Sequence, residues 1–309
     1  MSSNDTIYAY IYVFTCTPGF VGFVALGDSY SVGSGTGVDG REDDCRHGLH
    51  ANPQLIASDL SKSHGGPNTA FLFLSCTGPE TEEVFSGGDG SQIDAFNASL
   101  PTDFALISID GNDLGFFGVM NACVFRFYNF YSGTCETALN NLRAQTEGDA
   151  FESRLQIIIM ELLDKNGPKL AKELRQNMNA LVLANKVLFV DYDEKFDGHR
   201  FCEENVTEPD YGHAETWLFL LGDPDNANND TLQKQDWEVE ALLSSSALVN
   251  PSSCLESTQT SGDWGELALC YMAVIMAPNS MWYVPTYYGK TLHPRSMRHE
   301  TIRDKIYET

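Results

Sequence analysis

The stretch VGFVALGDS, residues 21–29, decides the fold. Residues 21–26 form a short apolar run, and a Gly-Asp-Ser turn follows at once. A run of this kind predicts a buried strand that ends in a tight turn. A side chain that directly follows such a strand can project into a cleft. Ser29 is therefore the first candidate functional residue.

Similar apolar runs recur along the chain, and helical patterns separate them. Further strands are predicted at residues 71–74, 104–109 and 186–190. Helices are predicted at residues 49–60, 151–183 with a break near 167–168, and 293–308. Short strands that alternate with helices predict a mostly parallel sheet covered on both faces. We therefore expect an α/β protein, built as a three-layer α/β/α sandwich.

Small or polar residues follow the predicted strands. They are Ser29, Gly78, Asn112 and Asp191. In open parallel sheets, ligands bind beyond the carboxyl ends of the strands. The sequence therefore predicts a functional site at this edge of the sheet.

Composition and charge exclude several classes of partner. The chain has 309 residues with 43 Asp and Glu against 19 Lys and Arg, a formal net charge of −24. A nucleic-acid partner requires a basic footprint that this chain lacks. Anionic membrane surfaces are disfavoured for the same reason. No segment has the roughly 18 consecutive apolar residues that span a bilayer.

Cysteines and sequons favour an extracellular protein. The eight cysteines include no CxxC pair, so zinc-ribbon and thioredoxin-like sites have no support. An even number suits several disulfides in an oxidising compartment, and Cys123 and Cys135 are spaced to close a short loop. Sequons, which accept N-glycans in secreted proteins, occur at Asn4, Asn97, Asn205 and Asn229.

A serine hydroxyl becomes a good nucleophile only when a base removes its proton. The candidate base is His293, which precedes Pro294 near the other end of the chain. Charge that develops on a substrate oxygen needs hydrogen-bond donors. The backbone N–H of Gly78 and the side-chain amide of Asn112 are suitable donors.

These residues resemble the SGNH (GDSL) hydrolase family. The matching blocks are Gly27-Asp28-Ser29, Gly78, Gly111-Asn112-Asp113 and His293. The phrase from Val190 to Cys202 resembles, more narrowly, the secreted fungal and actinobacterial esterase branch. The resemblance extends over about residues 21–308, with 205–285 matching poorly, and it implies a flavodoxin-like sandwich.

The resemblance implies a role for each matching residue. Ser29 is expected to be the nucleophile and His293 the general base, acting through an acyl-enzyme. The Ser29 N–H, the Gly78 N–H and the Asn112 side chain are expected to form the oxyanion hole. Asp28 is expected to support the turn, and Asp113 to hold the Asn112 loop. No metal or cofactor is implied, and the acidic loop at residues 223–230 lacks the pattern of a calcium site.

Two positions depart from the family pattern. The family usually has an aspartate three residues before the catalytic histidine, where this chain has Lys290. A lysine side chain cannot accept the Nδ1–H of an imidazole. We therefore predict a Ser–His dyad oriented by a backbone carbonyl, such as that of Lys290, with Asp263 as an alternative partner. The second departure is Arg298-His299, six residues after His293, where the family often has Gly-His. His299 fits helix packing or capping better than chemistry.

One domain is predicted over residues 21–309, because Ser29 and His293 must meet in one site. Residues 1–20 are interpreted as an N-terminal extension or a degenerate signal segment, since no basic residue precedes their apolar core. Residues 198–270, rich in Asn, Asp, Ser and Gly, are interpreted as an insertion stapled by disulfides.

The expected function is hydrolysis of carboxylic esters by a secreted monomer. Lipid esters and acetylated polysaccharides both remain open as substrates, and the aromatic stretch 116–131 is either a substrate site or core and lid. Activity is expected to fall as His293 protonates below roughly pH 6. The alternatives are a non-catalytic carbohydrate- or lipid-binding relative and a glycosidase that uses Asp191 or Asp193.

Overall fold

We describe the protein from a computed structural model. It describes residues 9–13, 21–37, 43–63, 69–88, 90–97, 99–100, 102–120, 122–123, 134–146, 149–166, 187–200, 216–219 and 289–309. The predictions for Asn4, Asn205, Asn229 and Asp263, most of the 198–270 insertion and most of the aromatic stretch lie outside these residues.

The core of the fold is a five-stranded sheet in the order β3-β2-β4-β1-β5. Its strands are β1 (Ala9–Val13), β2 (Val21–Gly27), β3 (Thr69–Phe73), β4 (Phe104–Ser108) and β5 (Val187–Val190). β2 pairs in parallel with both β3 and β4. β1 runs antiparallel to β4 and β5, so it alone opposes the other strands of this sheet. The predicted α/β fold with a mostly parallel sheet is confirmed.

Strand β1 comes from the segment that sequence analysis interprets as an extension or a degenerate signal. Ala9 pairs with Ser108 of β4 on one side and with Val190 of β5 on the other. Its sequence, AYIYV, is rich in the aromatic and β-branched residues that suit strands. In the structure this run is a strand of the sheet, whereas its sequence pattern fits both a strand and the core of a signal.

Eight helices accompany the sheet in the described part of the chain, with one short 3₁₀ turn at Asp193–Phe196. The helices are α1 (Ser29–Val32), α2 (Asn52–Ser63), α3 (Thr81–Val84), α4 (Gln92–Ala95), α5 (Phe116–Met120), α6 (Cys135–Thr146), α7 (Asp149–Asn166) and α8 (Ser296–Glu308).

Alternate residues of β2 face the two sides of the sheet. Val24 and Leu26 of β2 join one buried cluster, to which α3, α4 and α7 contribute Val84, Ile93 and Ile158. This alternation follows from the two-residue period of a strand.

The opposite face of the sheet has its own buried cluster. Phe23 and Ala25 of β2 pack there with Ile56 of α2 and Ile302 of α8. The Phe23 ring also stacks on Phe104 of β4, with ring centroids 4.8 Å apart. Helices therefore cover both faces, which gives the predicted three-layer sandwich.

Disulfides join Cys45 to Cys76 and Cys123 to Cys135. The second pair is the one whose spacing suggests a closed loop. The other cysteines lie outside the described residues. None of the described helices has both the length and the apolar character needed to cross a membrane.

Candidate active site

Ser29 is the first residue of α1, and only Asp28 separates it from the end of β2. The Asp28 carboxylate caps this helix by accepting the backbone N–H of Tyr30 at 3.0 Å. Before it, Gly27 has a φ of 134° and lies so close to β4 that a Cβ would stand 1.8 Å from the Ser108 carbonyl oxygen. Only glycine fits this turn, so the Gly-Asp-Ser order is what places Ser29 at the end of the strand.

The structure brings Ser29 and His293 together across the length of the chain. The Nε2 atom of His293 lies 2.7 Å from Oγ of Ser29. Both residues are buried, with 4% and 0% of their surface exposed. An imidazole nitrogen at this distance can accept the proton of the hydroxyl.

The loop of His293 is held by a short segment at residues 216–219. The N–H of Phe219 donates to the His293 carbonyl at 2.9 Å, and the N–H of Leu292 donates to the Phe219 carbonyl at 2.7 Å. Arg295 donates its backbone N–H to the Trp217 carbonyl at 3.0 Å. This role was not predicted, because the segment lies within the polar, aperiodic insertion, where its apolar residues are the only signal.

A backbone carbonyl faces the other nitrogen of His293. Nδ1 lies 3.2 Å from the carbonyl oxygen of Thr291. Since a carbonyl only accepts, Nδ1 carries the proton and Nε2 is free to accept one from Ser29. The carbonyl of Lys290, which we expected to orient the ring, accepts the backbone N–H of His293 at 2.8 Å and acts with the Thr291 carbonyl to raise the pKa of the imidazole.

Burial changes the basicity of His293. It lowers the pKa of this imidazole from 6.5 to about 4, against smaller opposing effects of the Thr291 and Lys290 carbonyls. A neutral imidazole therefore persists to lower pH than in water. The loss of activity that the sequence places near pH 6 is therefore expected closer to pH 4.

Hydrogen bonds join the loops of the two candidate oxyanion donors. The side-chain amide of Asn112 donates to the carbonyl of Pro79, next to Gly78, at 2.9 Å. Asp113 accepts both the backbone N–H and the hydroxyl of Thr81, at 2.9 and 2.6 Å. The loop after β4 is thus tied to the start of α3, with Gly78 and Asn112 on the two sides of the junction.

Three acidic residues lie close together behind the turn of Ser29. Burial raises the pKa of Asp28 to about 7, and the charge of Asp113 adds to the shift. Burial and the charge of Asp28 also raise the pKa of Asp110 well above its usual range. The Gly111 N–H donates to Asp28. Asp28 therefore connects the serine turn to the loop that carries Asn112.

A network of side-chain hydrogen bonds between hydroxyl groups fixes the segment that carries Gly78. The hydroxyls of Ser31 and Ser75 lie 2.7 Å apart, and those of Ser34 and Thr77 lie 2.9 Å apart. The disulfide of Cys76 with Cys45 lies between these two contacts along the chain. This segment is therefore bound both to α1 and to the loop that contains Cys45.

His47 adds a further contact to this hydrogen-bond network. Its Nε2 lies 2.9 Å from the Ser75 carbonyl, and its Nδ1 lies 2.6 Å from the Asp43 carboxylate. The ring packs on Phe73, with centroids 4.1 Å apart. Sequence analysis gave this residue no role, and no local pattern marks it.

Two aromatic rings flank the His293 imidazole. Tyr30 lies with its ring centroid 4.8 Å from that of His293, and Phe116 meets the imidazole edge-on at 5.7 Å. Phe116 is the first residue of the aromatic stretch noted in the sequence. This end of the stretch therefore lies at the candidate site.

Lys290 and His299, which lie at the two places where the sequence departs from the family pattern, are both buried. The Lys290 ammonium lies 5.0 Å from the centroid of the Phe219 ring. Nδ1 of His299 accepts the backbone N–H of Asn52 at 3.3 Å, at the start of α2. His299 therefore caps and packs a helix, as the sequence suggests.

The acidic residues of the glycosidase alternative are engaged elsewhere. Arg200 binds Asp193 at 2.7 Å and Asp197 at 2.6 Å. Asp191 accepts the backbone N–H of Asp193 at 3.0 Å. Within the described ranges, no group of three or more His, Cys, Asp or Glu residues is arranged to hold a metal ion.

Comparison with known proteins identifies lipases as relatives. No protein-family model matches the chain. Lipase 1 of Streptomyces coelicolor is 40% identical over 106 residues, which are 34% of this chain and 35% of the relative. A lipase of Streptomyces rimosus is 38% identical over 102 residues, which are 33% and 34% of the two chains. The match thus spans about a third of the length of these relatives.

Two solved structures are similar to parts of the protein. One is the extracellular lipase from Streptomyces rimosus, 30% identical, with a TM-score of 0.34 and coverage of 48% of this chain and 56% of that chain. The other is phospholipase A1 from Streptomyces albidoflavus, 32% identical, with the same TM-score and coverage of 48% and 55%. The two relatives found by sequence are lipases of Streptomyces, which agrees with the predicted resemblance to an actinobacterial esterase branch.

Proposed function

We propose that this relative of the Streptomyces lipases hydrolyses carboxylic esters, with Ser29 as nucleophile and His293 as general base. The observation that carries the proposal is the 2.7 Å contact between Oγ of Ser29 and Nε2 of His293. A second observation supports it: Nδ1 of the same ring faces a carbonyl, which holds the imidazole in the tautomer that accepts a proton.

The proposed reaction proceeds through an acyl-enzyme. Oγ of Ser29 bonds to the ester carbonyl carbon while its proton passes to Nε2 of His293. The ester bond then breaks, and the leaving alcohol takes that proton. In the second half, a water molecule gives a proton to His293 and attacks the acyl carbon. The carboxylic acid leaves as Ser29 recovers its proton.

Donors around Ser29 are proposed to stabilise the negative oxygen of the tetrahedral intermediates. They are the N–H groups of Ser29 and Gly78 and the amide of Asn112. The bonds from Asn112 to Pro79 and from Thr81 to Asp113 support this assignment, because they fix the two donor loops against each other. Donors fixed in advance need no reorganisation during the reaction.

Lipid esters are the substrate class we favour, and we propose that the protein acts outside the cell. The relatives are named lipases, and one solved relative is described as extracellular. The two disulfides of the described residues suit an oxidising compartment.

The test is hydrolysis of p-nitrophenyl acetate, butyrate and octanoate by the protein made in an oxidising host. We expect Ser29→Ala to reduce turnover to the uncatalysed background while the protein stays folded. Ser63→Ala, at the exposed end of α2, is the matched control and should retain the rate. The chain-length profile separates acetyl esterases from enzymes that act on longer acyl chains.

Covalent labelling gives an independent readout. A fluorophosphonate should modify the wild-type protein at Ser29, since only an activated hydroxyl reacts. Folded wild-type protein that neither turns over esters nor accepts the label would contradict the proposal. It would favour the alternative of a non-catalytic binding protein.

A further inference from the structure

The geometry points to Tyr30 as a positioning residue: its hydroxyl holds the loop of His293 against the helix of Ser29. This inference rests on the proposed function and goes beyond it, because it assigns a residue that acts on the base without touching the substrate. Tyr30 directly follows the proposed nucleophile, and Leu292 directly precedes the proposed base.

One hydrogen bond connects these two neighbours. The Tyr30 hydroxyl donates to the Leu292 carbonyl at 2.7 Å, across 262 positions of sequence. The Tyr30 ring also packs beside the His293 imidazole, with ring centroids 4.8 Å apart. The bond therefore fixes the histidine loop relative to the serine helix, one residue away from both Ser29 and His293.

Three consecutive carbonyls of the histidine loop each have a defined donor. The Lys290 carbonyl accepts the His293 backbone N–H at 2.8 Å, and the Thr291 carbonyl faces Nδ1 of the His293 ring. Those two contacts are internal to the loop, so they orient the ring but do not locate it relative to Ser29. The third carbonyl, of Leu292, is the one bound by the serine helix through Tyr30.

The backbone of Leu292 explains why this loop needs to be held. Its φ is 64°, in the left-handed region that branched and bulky residues rarely adopt. Such a conformation persists only where the surroundings enforce it. The Leu292 N–H is bound to the Phe219 carbonyl at 2.7 Å, and the Tyr30 hydroxyl binds its carbonyl. Without the hydroxyl, Leu292 can relax and carry His293 away from Ser29.

The hydroxyl is suited to this role at any working pH. Burial, aided by the charges of Asp28 and Asp110, raises the pKa of Tyr30 well above its usual range, so the hydroxyl remains a donor. The ring has its own support, since it meets Phe116 edge-on at 6.4 Å. Tyr30→Phe therefore removes the donor and leaves the packing in place.

The first measurement compares Tyr30→Phe with wild type on a p-nitrophenyl ester. We expect kcat to fall by about 10- to 100-fold, because small misplacements of a catalytic group have large effects. KM should stay within about twofold, since the substrate contacts are unchanged. Tyr307→Phe, which removes an exposed hydroxyl bound to Asp59, is the control and should match wild type in both constants.

Rescue distinguishes positioning from a general loss of stability. Glycine adopts the Leu292 conformation without steric cost. Leu292→Gly, added to Tyr30→Phe, should therefore recover most of the lost kcat. A double variant that is no faster than Tyr30→Phe would overturn the inference.

A titration of His293 tests the inference even where turnover is absent. In wild type the ring should titrate near the pKa of about 4 that its burial produces. In Tyr30→Phe we expect that pKa to rise toward its ordinary value, because a loosened loop admits water. NMR of the histidine rings measures it. Identical titrations in both proteins overturn the positioning role, whereas absent turnover in wild type counts against the proposed function alone.

Discussion

At the scale of single residues, the candidate site is a serine and a histidine with a carbonyl in the place of an acid. Nδ1 of His293 faces the Thr291 carbonyl, and the residue at the expected aspartate position is the buried Lys290. A carbonyl orients the ring as a carboxylate would, but it brings no full charge to stabilise an imidazolium. As the proposed base, His293 is therefore weaker than an aspartate-supported histidine, and it stays neutral in more acidic solution.

The pH dependence of activity follows from this weaker base. His293 acts as a base only when neutral, and its pKa is lowered to about 4. We expect kcat/KM to stay near its maximum as pH falls through 6 and to decline by about tenfold per pH unit below pH 4. A pH–rate profile from pH 3 to 8 on an ester with a pH-independent readout measures it. A profile in which kcat/KM declines with a single pKa near 6.5 would contradict the proposed effect of burial on His293.

Protonation of His293 should lower folding stability as well as activity when the pH falls. Between about pH 4 and 6.5 the unfolded chain binds a proton at His293 and the folded protein does not, so stability falls as pH drops through that window. Asp28 acts in the opposite sense, because its raised pKa of about 7 lowers stability as pH rises from 3.8 to 7. Urea unfolding of wild type and His293→Gln across this range isolates the histidine contribution.

Asn112 is expected to matter for the chemical step rather than for binding. As a proposed oxyanion donor, its removal in Asn112→Ala should lower kcat by about 10²–10³-fold with little change in KM. Asn97→Ala, at an exposed position, is the control. A loss confined to KM would assign Asn112 to substrate binding instead.

At the scale of elements, the end of β2 depends on a side chain from α4. The buried Gln92 amide donates to the Gly27 carbonyl at 2.9 Å, and its oxygen accepts the Gly27 N–H at 2.8 Å. Gly27 lies in the turn before Ser29, where the chain leaves the strand. The amide thus satisfies both backbone groups of a turn that α1 alone does not stabilise.

Gln92→Leu should destabilise the protein and disturb the serine turn together. The Gly27 N–H would lose its partner, while the Gly27 carbonyl would keep the backbone N–H of Cys76 at 3.1 Å. We expect the free energy of unfolding to fall by about 1–3 kcal/mol in urea denaturation, with a parallel loss of kcat. Ala95→Ser, on the exposed side of the same helix, should change neither. Full activity in a destabilised Gln92→Leu protein would separate the amide from the site.

At the scale of the whole molecule, one disulfide supports the site and another lies apart from it. Cys45–Cys76 binds the segment that contains Gly78 to the loop of His47. Cys123–Cys135 closes a separation of 12 residues next to α6. Both restrict the unfolded chain, but only the first restrains residues of the candidate site.

Replacing each cysteine pair by alanines tests this difference. Both double variants should lose about 2–4 kcal/mol of stability, which thermal or urea unfolding measures. Only the Cys45→Ala, Cys76→Ala variant should also lose kcat under conditions where it remains folded. Equal kcat in the two variants would show that the hydrogen-bond network of Ser31, Ser75 and Thr77 is sufficient to hold the Gly78 segment in place.

The sequence by itself determined the α/β sandwich and the small set of residues at its edge. Strands β2 to β5 are readable because buried parallel strands are continuous apolar runs, and Ser29, Gly78 and Asn112 follow them. These signals are local in the chain, so they can be recognised without knowing which segments come into contact in the fold.

Only the tertiary structure decided the contacts between distant segments. It placed β1 inside the sheet, the Phe219 segment beside the loop of His293, and the Tyr30 hydroxyl on the Leu292 carbonyl. It also placed the Thr291 carbonyl opposite Nδ1 of His293. The physical reason is that backbone hydrogen bonds carry no side-chain signature, so which carbonyl faces the ring in place of the expected acid becomes visible only once the chain has folded.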